Sequence, residues 1–177
     1  MMTQSREIIL GVSGGIACYK AAVICSRLVQ SGHGVSVVLT ESASRFVGAP
    51  TFEALSGRPC SCSMFDSRFP LGPHIELARR ADLLLVAPAT ANLLAKAAHG
   101  IADDLLSTLL LSFTGRVLFA PAMNAEMWQK APVQRNVSQL VSDGVEMIGP
   151  ESGWQSCRDQ GEGRMSEPDT IVKALVG

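Results

Sequence analysis

Three residues in this chain could do acid–base or binding chemistry: His74, Asn124 and Cys157. His74 opens His74-Ile75-Glu76-Leu77, Asn124 closes Pro121-Ala122-Met123-Asn124, and Cys157 stands alone in a glycine-rich stretch near the C-terminus. An imidazole moves protons near neutral pH. A carboxamide holds a carboxylate or an enolate-like oxygen without bringing net charge. A thiol between Gly153 and Gly161 sits where the chain can form a mobile flap, and it could give a proton to a carbanion. Each residue falls beside a predicted strand end or in a loop, the usual place for chemistry on a rigid sheet. The spacing therefore points to one site assembled from three parts of the chain. Met123, Met127 and Trp128 around Asn124 could line a flat ligand, or serve only core or interface packing; the bland readings of His74 and Cys157 are a surface cap and an incidental thiol.

A second group of residues suits a phosphate. Gly11-Val12-Ser13-Gly14-Gly15 follows an apolar run and opens a helix, so its amides can face an anion. Its spacing is neither the dinucleotide fingerprint nor a P-loop, which favours a mononucleotide phosphate over either. A purely structural turn is an equal alternative. Thr40 and Ser42 follow the second predicted strand, and Thr90 and Asn92 follow the third. Open α/β sheets bind ligands at these carboxyl ends. Small hydroxyls and an amide there suit a phosphate and a ring rich in acceptors, although Thr90 also reads as a helix cap. Arg164 could grip a substrate phosphate with its planar fork.

These residues need elements to hold them. Glu7 to Val12 reads as a strand, Ile16 to Gln30 as a helix stopped by Gly32, and Val35 to Leu39 as a second strand. Short helices follow over Thr51 to Ser56, ended by Gly57, and His74 to Arg80. The strand Asp82 to Ala87 is broken by Pro88. Ala102 to Leu111 reads as a helix, and Arg116 to Ala120 as a strand stopped by Pro121. A helix starting at Pro132 is ended by Gly144. Val145 to Ile148 is a last strand, Glu151 to Arg164 shows no periodicity, and Pro168 to Val176 closes the chain as a helix. Strands alternating with helices predict an α/β fold: a Rossmann-like, flavodoxin-like, doubly wound parallel sheet between two helical layers. The 177 residues fit a single domain over 1–177, with 151–165 as the flap.

Composition narrows the function. Apolar residues make up 47% of the chain against 18% charged, and the net charge is −1. That balance argues against a nucleic-acid partner and suits a sheet buried on both faces, a subunit interface, or both. The longest apolar run, Leu83 to Ala89, is too short to span a bilayer. The polar start and five unpatterned cysteines lead to the expectation of a cytoplasmic protein with free thiols and no metal.

Taken together, the motifs resemble the homo-oligomeric flavin-containing cysteine decarboxylases. The resemblance runs from Ile8 to about Leu175. It is carried by Gly11-Val12-Ser13-Gly14-Gly15-Ile16-Ala17, Thr51-Phe52-Glu53-Ala54-Leu55-Ser56-Gly57 and His74-Ile75-Glu76-Leu77-Ala78. It continues through Ala87-Pro88-Ala89-Thr90-Ala91-Asn92, Gly100-Ile101-Ala102-Asp103-Asp104-Leu105 and Pro121-Ala122-Met123-Asn124. It implies bound FMN, with Ser13, Gly14, Thr40 and Ser42 at the phosphate and ribityl chain and Thr90, Ala91, Asn92 and Ala122 near the ring. It also implies His74 as the active-site histidine, Asn124 as holder of the substrate carboxylate, Cys157 as proton donor, and Met127, Arg164 and Met165 at the substrate.

The implied reaction removes carbon dioxide from 4'-phospho-N-pantothenoylcysteine and yields 4'-phosphopantetheine, a step of coenzyme A biosynthesis. The cysteinyl unit is oxidised to a thioaldehyde, loses its carboxylate as an ene-thiol and is reduced again, so no outside redox partner is needed. The resemblance further implies trimers, or dodecamers built from them, with His74 and Asn124 meeting from neighbouring chains. Alternatives are a peptidyl-cysteine decarboxylase acting on a ribosomal peptide, which stops at the ene-thiol, and a non-catalytic flavin-binding regulator of the same fold. One departure stands out: family members often have glycine directly after the flap cysteine, where this chain has Arg158. If that position needs positive φ, arginine there is strained.

Overall fold

The computed structural model describes residues 5–176; the polar opening Met1–Gln4 read above lies outside them. The chain begins with β1 (Glu7–Val12), α1 (Cys18–Gln30) and β2 (Gly34–Leu39), followed by α2 (Glu41–Ser44), α3 (Ala49–Ser56) and α4 (Pro73–Arg80). Next come β3 (Leu83–Ala89), α5 (Ala91–His99), α6 (Leu105–Ser112), β4 (Arg116–Pro121), α7 (Ala125–Trp128) and α8 (Ala131–Ser142). The chain ends in β5 (Glu146–Met147), a hairpin of β6 (Glu151–Trp154) and β7 (Gln160–Arg164), and α9 (Pro168–Val176).

The main sheet is parallel, with strand order β2-β1-β3-β4-β5. That is the flavodoxin-like order expected above. Burial on both faces explains the run of aliphatic residues. Ile8, Leu10, Leu83, Leu85, Leu118 and Ala120 pack on one side against α1, α3 and α9. Ile9, Leu84, Val86 and Phe119 pack on the other against α4, α5, α6 and α8. Alternate residues of each strand thus enter opposite cores, because side chains point to alternating faces.

Most boundaries follow from local chemistry. Gly57 and Gly100 end α3 and α5 with φ of 67° each, the left-handed cap that glycine adopts without penalty. Among the elements that differ from expectation are β3 and α6. β3 continues through Pro88 to Ala89, with its pairing to β4 shifted between Val86 and Ala89. Proline costs a ladder bond only where the ladder is regular, so it is tolerated at this irregularity. α6 starts at Leu105 rather than Ala102, because Asp104 and Ser107 form a reciprocal capping box.

Candidate active site

After β1 the chain turns to one side of the sheet, and after β3 to the other. The crevice between their carboxyl ends is the topological switch point. Its rim is stitched together by bonds between segments distant in sequence. The Ser13 hydroxyl donates to the Pro88 carbonyl at 2.7 Å and accepts from the Thr90 N–H at 3.0 Å. Ala122 N–H donates to Ala89 O at 3.1 Å, and Thr40 N–H to Val12 O at 3.1 Å. The ends of β1, β2, β3 and β4 are therefore held as one frame.

Two cavities open on this frame and share Gly14, Thr90 and Asn92. The smaller, about 290 Å³, is polar and includes Ser13, Thr40 and Ser42. Thr90 caps α5 and Thr40 caps α2, each accepting from the third residue of its helix. The first N–H groups of α5 face outward, as helix starts require. Gly14 is needed for close approach: a Cβ there would lie 2.3 Å from Ser42 Cβ and 2.7 Å from the Ser42 carbonyl carbon. Glu41, Asp103 and Asp104 also line this cavity, with Lys96 as its cation. Lys96 pairs with Asp103 at 2.6 Å and with Asp104 at 3.0 Å. Hydrogen bonding to Lys96 holds the Asp103 carboxyl below the usual carboxylate range, and the same contact raises Lys96. An anion here would be met by N–H and hydroxyl donors, not by a positive field.

The larger cavity, about 700 Å³, takes in Ala91, Ala122 and Asn124 from the strand ends and Cys157, Arg164 and Met165 from the hairpin and the residue after it. Small side chains on the frame leave room for a flat ring, while polar groups lie toward the hairpin. Asn124 is the N-cap of α7, and its Oδ1 accepts from Met127 N–H at 2.9 Å. Capping uses the oxygen, so the amide nitrogen is the end left to donate into the cavity. Met127, half exposed, lines the same wall. Arg164 reaches Glu167 at 2.8 Å and Glu151 at 3.7 Å, so its guanidinium is already engaged by carboxylates.

The segment from 151 to 164 is an antiparallel hairpin, not an aperiodic flap. Its tip, Ser156-Cys157-Arg158, is closed by Gln155 N–H to Asp159 O and Arg158 N–H to Gln155 O, both at 2.9 Å. Arg158 has φ of 72°, the left-handed conformation that three-residue hairpin loops usually fill with glycine. The hairpin lies flat on the Asn124 loop because glycines face it. A Cβ on Gly161 would sit 2.5 Å from Ala125 Cβ, and one on Gly163 would sit 2.5 Å from the Met123 carbonyl oxygen. Met123 N–H donates to Gly163 O at 2.9 Å across the same contact.

The crevice thus gathers every predicted catalytic, cofactor and substrate residue except one. His74 lines neither cavity. It sits in the first turn of α4, with its Nδ1 buried, facing Gly72 and without a hydrogen-bond partner among the described residues. Sequence reasoning also passed over Gln155 and Lys96, polar residues whose positions no short motif marks.

The whole chain, residues 1–177, matches the family model described as "Flavoprotein". The chain belongs to that flavoprotein family. Among curated relatives it is 49% identical over 173 residues to the coenzyme A biosynthesis bifunctional protein CoaBC of Bacillus subtilis (strain 168), an alignment covering 97% of this chain and 43% of that protein. The chain therefore spans less than half the length of the curated relatives it matches. Among solved structures, a cysteine-to-serine mutant of a PPC decarboxylase complexed with pantothenoylaminoethenethiol superposes with a TM-score of 0.87, 29% identity and 97% coverage of both chains. The FMN-dependent cysteine decarboxylase SpaF superposes with a TM-score of 0.83 and 33% identity, over 99% of this chain and 98% of that one.

Proposed function

We propose that this chain is an FMN-dependent carboxy-lyase that converts 4'-phospho-N-pantothenoylcysteine to 4'-phosphopantetheine, working as one domain over 1–177 with the 151–165 region as its substrate clamp. The observation that carries this reading is the convergence of Asn124, Cys157 and Arg164 on one cavity that shares Gly14, Thr90 and Asn92 with the polar cavity of Ser13, Thr40 and Ser42. The two cavities fit a mononucleotide with a flat ring: hydroxyl and amide donors for the phosphate and ribityl chain, then Thr90, Ala91, Asn92 and Ala122 around the ring. Kinship with an FMN-dependent cysteine decarboxylase supports the same cofactor.

The flavin would supply a two-electron acceptor and donor, so that a carboxylate can leave from the carbon next to the oxidised carbon–sulfur unit. The protein's own residues position and protonate. Asn124 directs its amide N–H groups at the substrate carboxylate and fixes the breaking bond without adding charge. Met127, Arg164 and Met165, which line the same cavity, contact the substrate. Cys157, on the hairpin tip above the cavity, gives the proton that completes reduction of the ene-thiol. The hairpin excludes water while this happens. His74 lies away from the cavity of its own chain, which supports a homo-oligomer, a trimer or a larger assembly of trimers, in which it serves a neighbour's site as base or orienter. No helix of the described residues is long and apolar enough to cross a membrane, and the proposed place of the reaction is the cytoplasm.

The test is incubation of the protein, supplied with FMN, with 4'-phospho-N-pantothenoylcysteine, with detection of carbon dioxide and product mass; the purified protein should be yellow. A saturated thiol product is expected from the natural chain, and the ene-thiol from Cys157→Ser. His74→Asn should retain flavin and lose decarboxylation. A protein that folds but stays colourless with added FMN, or leaves the substrate intact, refutes the proposal. An ene-thiol product from the natural chain would favour the peptidyl-cysteine decarboxylase reading instead.

A further inference from the structure

Gln155 is a buried amide at the neck of the hairpin loop, with 7% of its surface exposed. Its side chain leaves the hairpin and crosses to the segment that carries Asn124. Oε1 accepts the Ala125 N–H at 3.1 Å, and Nε2 points at the Met123 carbonyl at 3.4 Å. The same Oε1 is 3.6 Å from Cys157 Sγ, a reach suited to the larger sulfur atom and its weak S–H donor. One oxygen therefore touches both the first N–H of α7, whose N-cap is Asn124, and the Cys157 thiol.

Helix starts leave their first N–H groups without internal partners. Asn124 satisfies Met127 and Gln155 satisfies Ala125. An apolar residue of the same length would fill the space but would leave the Ala125 N–H unpaired and the Cys157 side chain free to rotate. We infer that Gln155 is a positioning residue: its Oε1 sets the Cys157 thiol in register with the Asn124 loop, so that proton donor and carboxylate holder address the same bound molecule. This rests on the proposed function for its meaning and on the hydrogen bonds alone for its geometry.

Two variants separate positioning from space filling. Gln155→Met keeps the size and loses the acceptor; Gln155→Glu keeps the acceptor oxygens and loses the donor to Met123. Each is made in a Cys62→Ser background, because Cys18, Cys25 and Cys60 are buried and Cys62 is the other exposed thiol. The readouts are the rate of Cys157 alkylation by iodoacetamide without substrate and the share of product released as ene-thiol. Gln155→Met should be alkylated about two- to five-fold faster, the worth of one weak hydrogen bond, and should release more ene-thiol. Gln155→Glu should restore most of both. The opposite ranking overturns the inference, as does loss of bound flavin from both variants, which would make Gln155 a folding residue. If the natural chain leaves the substrate intact, the proposed function falls, and the alkylation rates still decide the role of Gln155.

Discussion

Arg158 offers the sharpest test of the hairpin. Its φ of 72° places a side-chain-bearing residue in the left-handed region, where the Cβ crowds the backbone. That conformation costs roughly 1–2 kcal/mol for a residue other than glycine. Glycine relieves it but gives up roughly 0.5–1 kcal/mol of backbone entropy. The difference leaves Arg158→Gly more stable by about 0.5–1 kcal/mol in the closed loop. The hairpin is exposed at its tip and can open without unfolding the sheet, so hydrogen exchange reads the effect directly. The amide to follow is Gln155, whose N–H closes the loop on Asp159 O. Its protection should rise about two- to five-fold in Arg158→Gly. Arg158→Val, β-branched and poorly suited to positive φ, should lower it, and Arg158→Asn should fall between. Unchanged protection in the glycine variant, together with no loss in the valine variant, would refute the strain argument.

Other consequences can be checked separately. Gly163 has φ of 136°, and an added Cβ would meet the Met123 carbonyl, so Gly163→Ala should undock the hairpin at a cost of about 1–3 kcal/mol; flavin absorbance should persist while turnover falls at least ten-fold, and normal turnover would show that docking is unnecessary. Asn124→Asp keeps the cap on Met127 N–H but turns the free amide donor into a charged acceptor, which would repel a substrate carboxylate bound as proposed; the fold should survive and steady-state assays should find little decarboxylation, whereas substantial activity would remove Asn124 from carboxylate binding. The neighbouring Cys60 thiol holds Cys62 below the ordinary cysteine value, so in a Cys157→Ser background its alkylation rate should rise with an inflection below about 8.5, and Cys60→Ala should move that inflection up toward about 8.5; an inflection already at the ordinary value before Cys60 is changed would deny the influence. Hydrogen bonding from Arg58 holds the Glu7 carboxyl below the usual range, so its stabilisation is present at neutral pH and disappears as pH falls through that lowered value. Urea midpoints of the natural chain and Glu7→Gln should therefore differ at pH 7, by no more than about 1 kcal/mol for a pair this exposed, and converge well below about pH 4.3; a gap that persists into strong acid would show that the effect is not ionic.

The frame of the site was legible because it follows from strong local signals. Aliphatic runs marked the strands, glycines marked the helix ends, and the residues just past each strand are the ones that line the crevice. What sequence hid was set by contacts. Pro88 reads as a strand breaker, yet the sheet accommodates it at an irregular pairing and uses its carbonyl to hold Ser13. α2 and α7 are single turns, too short for a 3.6-residue period to appear. The hairpin gave no alternating apolar pattern because glycines and Gln155, not aliphatic side chains, form its docking face. His74 was assigned from a motif, and a single chain leaves it outside both cavities.

Asn124 and Cys157 are held with different firmness, and the difference matches the roles proposed for them. Asn124 is fixed by its own capping bond and by a frame of four strand ends. A group that orients a carboxylate must be rigid, because small displacements cost large factors in rate. Cys157 rides on a loop tip closed by two backbone bonds, strained at Arg158 and steadied by one weak sulfur contact. Such a tip opens more easily than the sheet beneath it, as the proposed proton donor would have to in order to admit substrate and release product. Under the proposed function, arginine at 158 would trade some order at the tip for easier passage. That trade is tolerable only if something else restores register on closing, and Gln155, anchored on Ala125 N–H beside Asn124, is placed to do so.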